Sequence, residues 1–278
     1  MDDSKSDIPG KIICLTEESV ETLALLGQLH RVIGVSIFVK RPLAAQSIPK
    51  VSAFTSSKID TILDMAPDLV LGFSDIQKDI ARDLIGAGLN VWIANHRTLE
   101  ETLTYVQLLG RLVGELERAA QLVNEWRAKI EGIQRKAARW SRRPRVYFEE
   151  WDEPQISAIR WVSELIEVCG GEDIFSERSH AKLAQGRFCQ SAEVVERAPD
   201  IIFGCWCGKK VRVAAITARP GWETIPAVKQ QQVYELEPEI FLQPGPALFV
   251  DGLDILFSYL EKWQATLDST AGAPNLPV

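Results

Sequence analysis

Short continuous apolar runs alternate with helical patterns along the chain. Residues 12–15, after Lys11, and residues 201–204 are two such runs, and neither shows the polar alternation of a half-exposed strand. An uninterrupted apolar run of this length is typical of a strand buried on both faces of a parallel sheet. Strands that alternate with helices imply right-handed βαβ units. The pattern therefore predicts an α/β fold with parallel sheets.

One element of this pattern occurs twice. Residues 66–72 read Ala-Pro-Asp-Leu-Val-Leu-Gly, and residues 198–204 read Ala-Pro-Asp-Ile-Ile-Phe-Gly. A short helical pattern that contains an acidic residue precedes each copy, with Asp60 in the first and Glu193 in the second. Because proline cannot continue a helix, each copy predicts a helix end followed by a buried strand. The repeat predicts two similar lobes.

A long helical pattern lies between the two copies. From Leu116 onward, apolar residues recur at intervals of three and four, at positions 116, 119, 123, 126, 130, 133, 137 and 140. Such a stripe fits a coiled-coil seam or a spine helix that packs on two lobes. We expect a spine at 115–140 that joins two Rossmann-like lobes, at 10–114 and 144–270, with a ligand cleft between them.

Composition narrows the function. The chain has 278 residues, a net charge of -7 and no basic stripe, which argues against nucleic-acid binding. No apolar run approaches the roughly 18 residues of a membrane-spanning helix, so we expect no membrane insertion. We also expect a monomer. Five cysteines are too few for a secreted disulfide framework, and three scattered histidines predict no metal site. Residues 1–10 lack an apolar segment, which favours the cytoplasm as written; a trimmed or misassigned start would favour the periplasm.

The carboxyl ends of parallel strands are where open α/β sheets bind ligands. After the strand at 201–204, Cys205, Trp206 and Cys207 could form a ligand wall, pack structurally or perform thiol chemistry. Trp151 and Trp161 also lie beyond strands of the second lobe, where aromatic rings suit a large flat ligand. Packing at the edge of the lobe is the alternative for each tryptophan.

The first lobe offers polar and aromatic residues at the same strand ends. The candidates for ligand contact there are Thr16, Glu17, Ser36, Phe38, Phe73 and His96. A single histidine after a strand can also serve only as a hydrogen-bonding residue of the loop. Since the chain shows no pairing of nucleophile and base, no carboxylate dyad and no phosphate-binding loop, we expect a binding protein without catalytic residues.

Several segments, taken in order, resemble a known family. Residues 11–36, 59–70, 150–175, 219–229 and 243–253 are similar to successive elements of the vitamin B12- and siderophore-binding proteins of ABC importers. The resemblance covers about 11–262, and in the second lobe it is greatest to the branch described as cobalamin-binding.

This resemblance implies a class III periplasmic-binding-protein fold and a small-molecule ligand, namely cobalamin or a related corrinoid. It also implies an ABC permease as partner, with Asp60 and Glu193 as the acids that meet the permease. A ferric siderophore or haem is the alternative ligand, favoured by the cations Lys40, Arg41, Arg160 and Arg187. A third possibility is a cytosolic enzyme or regulator that handles a corrinoid or tetrapyrrole on the same fold.

Overall fold

The computed structural model describes residues 8–271 as two compact units. Unit 1 comprises the described residues up to Trp126 together with Gln243–Ala247, and unit 2 comprises Arg127–Leu242 and the residues from Leu248 onward. Residues 1–7, on which the expected localisation partly rests, lie outside the described residues. Among the described residues, no helix combines the length and the apolar character needed to cross a bilayer.

Unit 1 contains a five-stranded sheet in which every pairing is parallel, in the order β3-β2-β1-β4-β5. Its strands are β1 (Ile12–Cys14), β2 (Val32–Ser36), β3 (Lys50–Ser52), β4 (Leu69–Phe73) and β5 (Val91–Ala94). β1 and β4 are buried along their whole length, as their continuous apolar runs predict.

Unit 2 contains a second five-stranded sheet, in the order β10-β9-β6-β7, with β8 beside the start of β6. Its strands are β6 (Arg145–Asp152), β7 (Gln155–Ser157), β8 (Glu172–Asp173), β9 (Ile201–Gly204) and β10 (Val233–Glu235). β6 pairs in parallel with β8 and β9 but antiparallel with β7. The parallel α/β prediction is confirmed, but β6 and β7 form an antiparallel hairpin with its turn at Glu153 and Pro154. Trp151, expected beyond a strand, therefore lies within β6.

Helices connect the strands in both units. They are α1 (Glu17–Leu25), α2 (Ile59–Asp64), α3 (Lys78–Gly86), α4 (Leu99–Leu112), α5 (Leu116–Ala137), α6 (Arg160–Val168), α7 (Ser191–Arg197), α8 (Val213–Thr217), α9 (Pro226–Lys229), α10 (Pro238–Phe241) and α11 (Leu253–Ala271). Short 3₁₀ segments lie at Leu29–Arg31, Leu43–Ser47, Asp75–Gln77, Ser176–Arg178, Ala184–Arg187 and Trp222–Thr224, and a π-helical turn at Leu248–Gly252 precedes α11.

The two Ala-Pro-Asp copies have the same conformation and the same function in the fold. Ala66 and Ala198 end α2 and α7 in the left-handed region, with φ of 46° and 44°. The Asp68 carboxylate accepts backbone N–H groups just before β1, from Lys11 at 2.8 Å among others, and Asp200 accepts the Arg145 N–H at the start of β6, at 2.9 Å. Asp68 therefore holds β1 beside β4, and Asp200 holds β6 beside β9.

The predicted spine is the single helix α5, and it ends three residues earlier than the heptad pattern predicts. The backbone N–H groups of Arg139 and Trp140 bond to carbonyls three residues back, which is a tightened last turn. Trp140 still packs within unit 2, where its ring stacks on Phe257 at 5.5 Å. The division between the units falls inside α5, after Trp126.

A second crossing of the chain was not predicted. Gln243–Ala247 lies between two segments of unit 2 but belongs to unit 1. The Ala247 N–H donates to Glu21 Oε2 at 3.2 Å, and the Pro244 carbonyl lies 2.7 Å from His96 Nε2. Gly245 passes so close to α1 that a Cβ on it would lie 2.7 Å from the Glu18 Cβ. Only glycine fits this approach without a shift of the segment.

Candidate functional site

The carboxyl edge of the unit 1 sheet exposes an unusual amount of apolar surface. Ile37 and Phe38 follow β2, Phe54 follows β3 and Ile76 follows β4, and these four side chains are 40–55% exposed. We call these four residues the apolar edge. Because the strands are parallel and adjacent, their ends lie on one side of the sheet. An exposed apolar surface of this kind is typical of a binding site for a large, poorly polar ligand.

A buried glutamine holds the loops of this edge together. Gln77 is fully buried, and its side-chain amide donates to the carbonyls of Phe54 at 3.1 Å and Leu15 at 3.4 Å. Its side-chain oxygen accepts the Phe73 N–H at 2.9 Å. One side chain therefore ties together the ends of β1, β3 and β4. The preceding Ser74, with φ of 61°, makes the sharp turn that brings Gln77 inward.

A buried carboxyl group lies at the end of β1. Glu18 in the first turn of α1 is 2% exposed, and the Thr16 hydroxyl donates to its carboxylate. Burial raises the pKa of Glu18 to about 7, and the Thr16 hydrogen bond opposes this only in part. Thr16 is thus engaged inside the unit.

His96 is likewise an internal residue in this structure. Its ring is 6% exposed, stacks on Tyr105 at 4.4 Å and meets the edge of Phe73 at 5.1 Å. Since a carbonyl oxygen can only accept, Nε2 donates to Pro244 and Nδ1 carries no proton. Burial lowers the pKa of His96 to about 4, so the ring stays neutral at physiological pH.

The carboxyl end of β6 carries the most elaborate polar network of unit 2. Glu149 is fully buried and faces Arg219, whose Nη2 donates to Oε1 at 2.9 Å. The same carboxylate accepts the Trp206 indole N–H at 3.1 Å, the Tyr147 hydroxyl at 3.2 Å and the Gln155 amide at 3.4 Å. Because its charge is both paired and hydrogen-bonded, Glu149 is stable in this interior and fixes the groups around it.

An aromatic and cationic cluster lies over this network. The Lys209 ammonium is 4.0 Å from the ring centroid of Trp151 and 4.9 Å from that of Trp206, and it forms an ion pair with Asp152. We call Trp151, Asp152, Trp206 and Lys209 the Lys209 cluster. Cys207, on the same loop, is exposed, whereas the other four cysteines are buried. Of the predicted tryptophan and cysteine residues, Trp151 and Cys207 therefore reach solvent, whereas Trp206 is 1% exposed.

The charges at this edge of unit 2 are mixed, with an excess of carboxylates. The segments 149–154, 205–212 and 235–239 contain seven acidic and three basic residues, and the paired Arg187 and Arg219 add two cations. Three of the four cations that favoured an anionic ligand are neutralised within their own unit: Arg41 pairs with Glu21, Arg160 with Glu164 and Arg187 with Glu150.

The predicted ligand residues fall into two groups by exposure. Those accessible to solvent, wholly or in part, are Glu17, Phe38, Trp151 and Cys207. Those at most 6% exposed are Thr16, Ser36, Phe73, His96, Trp161, Cys205 and Trp206. The second group supports the edges from within; for example, the Trp161 indole donates to the Phe241 carbonyl at 2.9 Å. Direct ligand contact by any of these residues stays a prediction.

The two predicted docking acids differ in their surroundings. Asp60 is exposed in the first turn of α2. Glu193 forms an ion pair with Arg178 and accepts the Gln190 N–H at 2.7 Å as part of the cap of α7. Its carboxylate already has a structural function within unit 2, and its contact with a permease stays a prediction.

Sequence reasoning missed the residues that hold each edge. Gln77, Glu149 and Arg219 act over long sequence separations, with 70 residues between the last two. A charged residue inside the strand pattern of residues 145–149 was the available signal, since a buried carboxylate needs a partner. No local pattern identified Arg219 as that partner or Lys209 as the cover of Trp151.

Comparisons with known proteins agree with this architecture. The model of the family described as "Periplasmic binding protein" matches residues 12–240. The "Uncharacterized ABC transporter substrate-binding lipoprotein YvrC" of Bacillus subtilis (strain 168) is 27% identical over 263 residues, which is 89% of this chain and 79% of the relative. A "Vitamin B12-binding protein" of Vibrio campbellii (strain ATCC BAA-1116) is 27% identical over 227 residues, which is 76% of this chain and 80% of the relative.

Solved structures share the fold. The "Periplasmic heme-binding protein RhuT from Roseiflexus sp. RS-1 in apo form" superposes with a TM-score of 0.77 at 20% identity, covering 91% of this chain and 98% of that one. The chain belongs to the periplasmic binding protein family, a class of substrate-binding proteins rather than enzymes. The predicted family and fold are thereby confirmed. The names of the relatives describe lipoprotein and vitamin-binding proteins and give no support to the cytoplasmic expectation.

Proposed function

We propose that this protein is the substrate-binding component of an ABC importer and that its ligand is a cobalt corrinoid of the cobalamin type. The observation that carries the proposal is the apolar edge, four exposed carbon-only side chains at the strand ends where this fold binds ligands. A corrin macrocycle is large and flat and presents much apolar surface. The names of the vitamin B12-binding relatives point in the same direction.

The distribution of charge separates the candidate ligands. A corrin ring bound to cobalt(III) carries positive charge, whereas haem and tris-catecholate ferric siderophores are anionic. The carboxyl edge of unit 2 has more acids than cations, and Arg41, Arg160 and Arg187 are already paired with carboxylates. Placing an anion against these arginines would require breaking their ion pairs, which costs free energy. The arrangement therefore favours a corrinoid over an anionic iron complex.

Isothermal titration calorimetry with cyanocobalamin, haemin and a ferric tris-catecholate siderophore tests the ligand. We expect saturable one-to-one binding of cyanocobalamin, and weaker or no binding of the other two. Heat from haemin or the siderophore without heat from cyanocobalamin would exclude the corrinoid. Uptake of ⁵⁷Co-labelled cyanocobalamin by cells with and without the gene tests the importer function; equal uptake would contradict it.

A further inference from the structure

The Lys209 cluster places a cation in a defined position at the carboxyl edge of unit 2. The Lys209 ammonium lies against the rings of Trp151 and Trp206, 4.0 and 4.9 Å from their centroids. Its ion pair with Asp152 adds a third contact, and 39% of the lysine side chain remains exposed. A lysine held against aromatic faces in this way loses less conformational freedom on binding an anion than a lysine that extends into water.

Both tryptophan rings below Lys209 are hydrogen-bonded. The Trp206 indole donates to Glu149 at 3.1 Å, and Arg219 holds that carboxylate from the other side. The Trp151 indole donates to the Glu153 carbonyl at 2.9 Å across the turn of the hairpin. Both rings that position the ammonium are therefore fixed by hydrogen bonds, and the position of the charge is set by the fold.

Two further cations flank Lys209 on the same loop. Lys210 and Arg212 are exposed, and no ion pair within residues 8–267 joins either of them. Val211 between them is 5% exposed, and its N–H donates to Glu235 Oε1 at 3.0 Å, so the loop is anchored in their middle. The loop thus carries three cations within four residues, and the carboxylates of Asp152 and Glu235 are bonded to it.

We propose that Lys209, together with Lys210 and Arg212, forms a subsite for the anionic phosphodiester of the ligand. This inference rests on the proposed function and specifies which group of the corrinoid the protein binds. A cobalamin-type corrinoid joins a cationic macrocycle to an anionic phosphodiester in its nucleotide loop, whereas cobinamide lacks both the loop and this charge. The subsite thus selects complete corrinoids. Asp152 shares the ammonium with the phosphodiester, which keeps the gain in affinity moderate.

The test compares two ligands and three variants by calorimetry. Wild-type protein, Lys209→Gln, Lys209→Arg and the control Lys229→Gln, an exposed lysine of α9, are titrated with cyanocobalamin and with dicyanocobinamide. We expect Lys209→Gln to weaken cyanocobalamin binding about fivefold and to leave dicyanocobinamide binding unchanged. Lys209→Arg keeps the charge and should bind cyanocobalamin almost as tightly as the wild type does. Lys229→Gln should bind both ligands as the wild type does.

Each alternative outcome has a distinct meaning. Equal losses for both ligands in Lys209→Gln, or no loss for either, would overturn the phosphodiester subsite while leaving corrinoid binding in place. Binding of neither corrinoid by the wild type would overturn the proposed function and the inference together. Melting curves of all variants without ligand identify a folding defect in Lys209→Gln. In that case Arg212→Gln, which removes an exposed cation of the same loop, decides the result, since the subsite predicts weaker binding of cyanocobalamin alone.

Discussion

Replacement of Glu18 by glutamine tests whether the end of β1 is packed as described. The Glu18 side chain is 2% exposed, and its carboxyl accepts the Thr16 hydroxyl. Burial raises its pKa from 4.5 to about 7, so the folded state keeps a proton that the unfolded state loses in this interval. The stabilisation by the neutral carboxyl is complete below pH 4.5 and is lost as the pH rises through 7.

The size of the expected change in the free energy of unfolding follows from this rise in the pKa of Glu18. One pKa unit corresponds to about 1.4 kcal/mol, so a rise from 4.5 to about 7 costs the wild type at most about 3.5 kcal/mol at alkaline pH. Glutamine keeps the shape and still accepts the Thr16 hydroxyl, but it has no proton to lose. The free energy of unfolding of Glu18→Gln should therefore exceed that of the wild type increasingly between pH 4.5 and 8, by about 1–3 kcal/mol at the upper end.

Denaturant unfolding at pH 4.5, 6, 7 and 8 measures this difference. Glu196→Gln, the same chemical change at an exposed site on α7, is the matched control and should follow the wild type at every pH. If the free energy of unfolding of Glu18→Gln has the same pH dependence as that of the wild type, the Glu18 carboxyl is solvated. The burial of the Glu18 side chain would then be wrong as described.

Three further results are expected. Ala198→Gly should raise the free energy of unfolding by roughly 0.5–1 kcal/mol because its φ of 44° suits glycine, whereas Ala128→Gly within α5 should lower it by about 1 kcal/mol; equal effects on the melting curve would contradict the assigned backbone. A thiol reagent should modify one cysteine of the native protein, Cys207, and all five after denaturation; rapid modification of two or more native thiols would contradict the burial of the others. Phe38→Ala should weaken cyanocobalamin binding by about 1–2 kcal/mol in calorimetry, while Ile85→Ala, an equally exposed apolar change on α3, should not; equal effects would exclude the apolar edge as the contact surface.

The sequence pattern predicts the elements of this fold because their causes are local. Proline at 67 and 199 ends a helix and a buried apolar run follows, so α2–β4 and α7–β9 could be located from a few residues each. The heptad spacing from Leu116 predicted α5 for the same reason. What the pattern missed depends on distant contacts: Gln243–Ala247 joins unit 1 through Glu21 and His96, which lie more than a hundred residues away.

The candidate site was only partly predictable for a related reason. Phe38, Trp151 and Trp206 each follow a predicted strand, so the sequence placed them at carboxyl edges of the sheets. It did not determine which way each side chain points. Phe38 is 46% exposed, whereas Trp206 is 1% exposed because its indole N–H is drawn inward to the buried Glu149. That carboxylate is stable only beside Arg219, a partner 70 residues away that periodicity does not reveal.

Competition among ligands tests the central claim most directly. The purified protein is incubated with an equimolar mixture of cyanocobalamin, haemin and a ferric tris-catecholate siderophore. Native mass spectrometry then measures the mass of the complex that forms. The apolar edge predicts one dominant species, the protein with a single bound corrinoid. A dominant adduct with haemin or the siderophore, or the mass of the free protein alone, would contradict the assignment of the ligand.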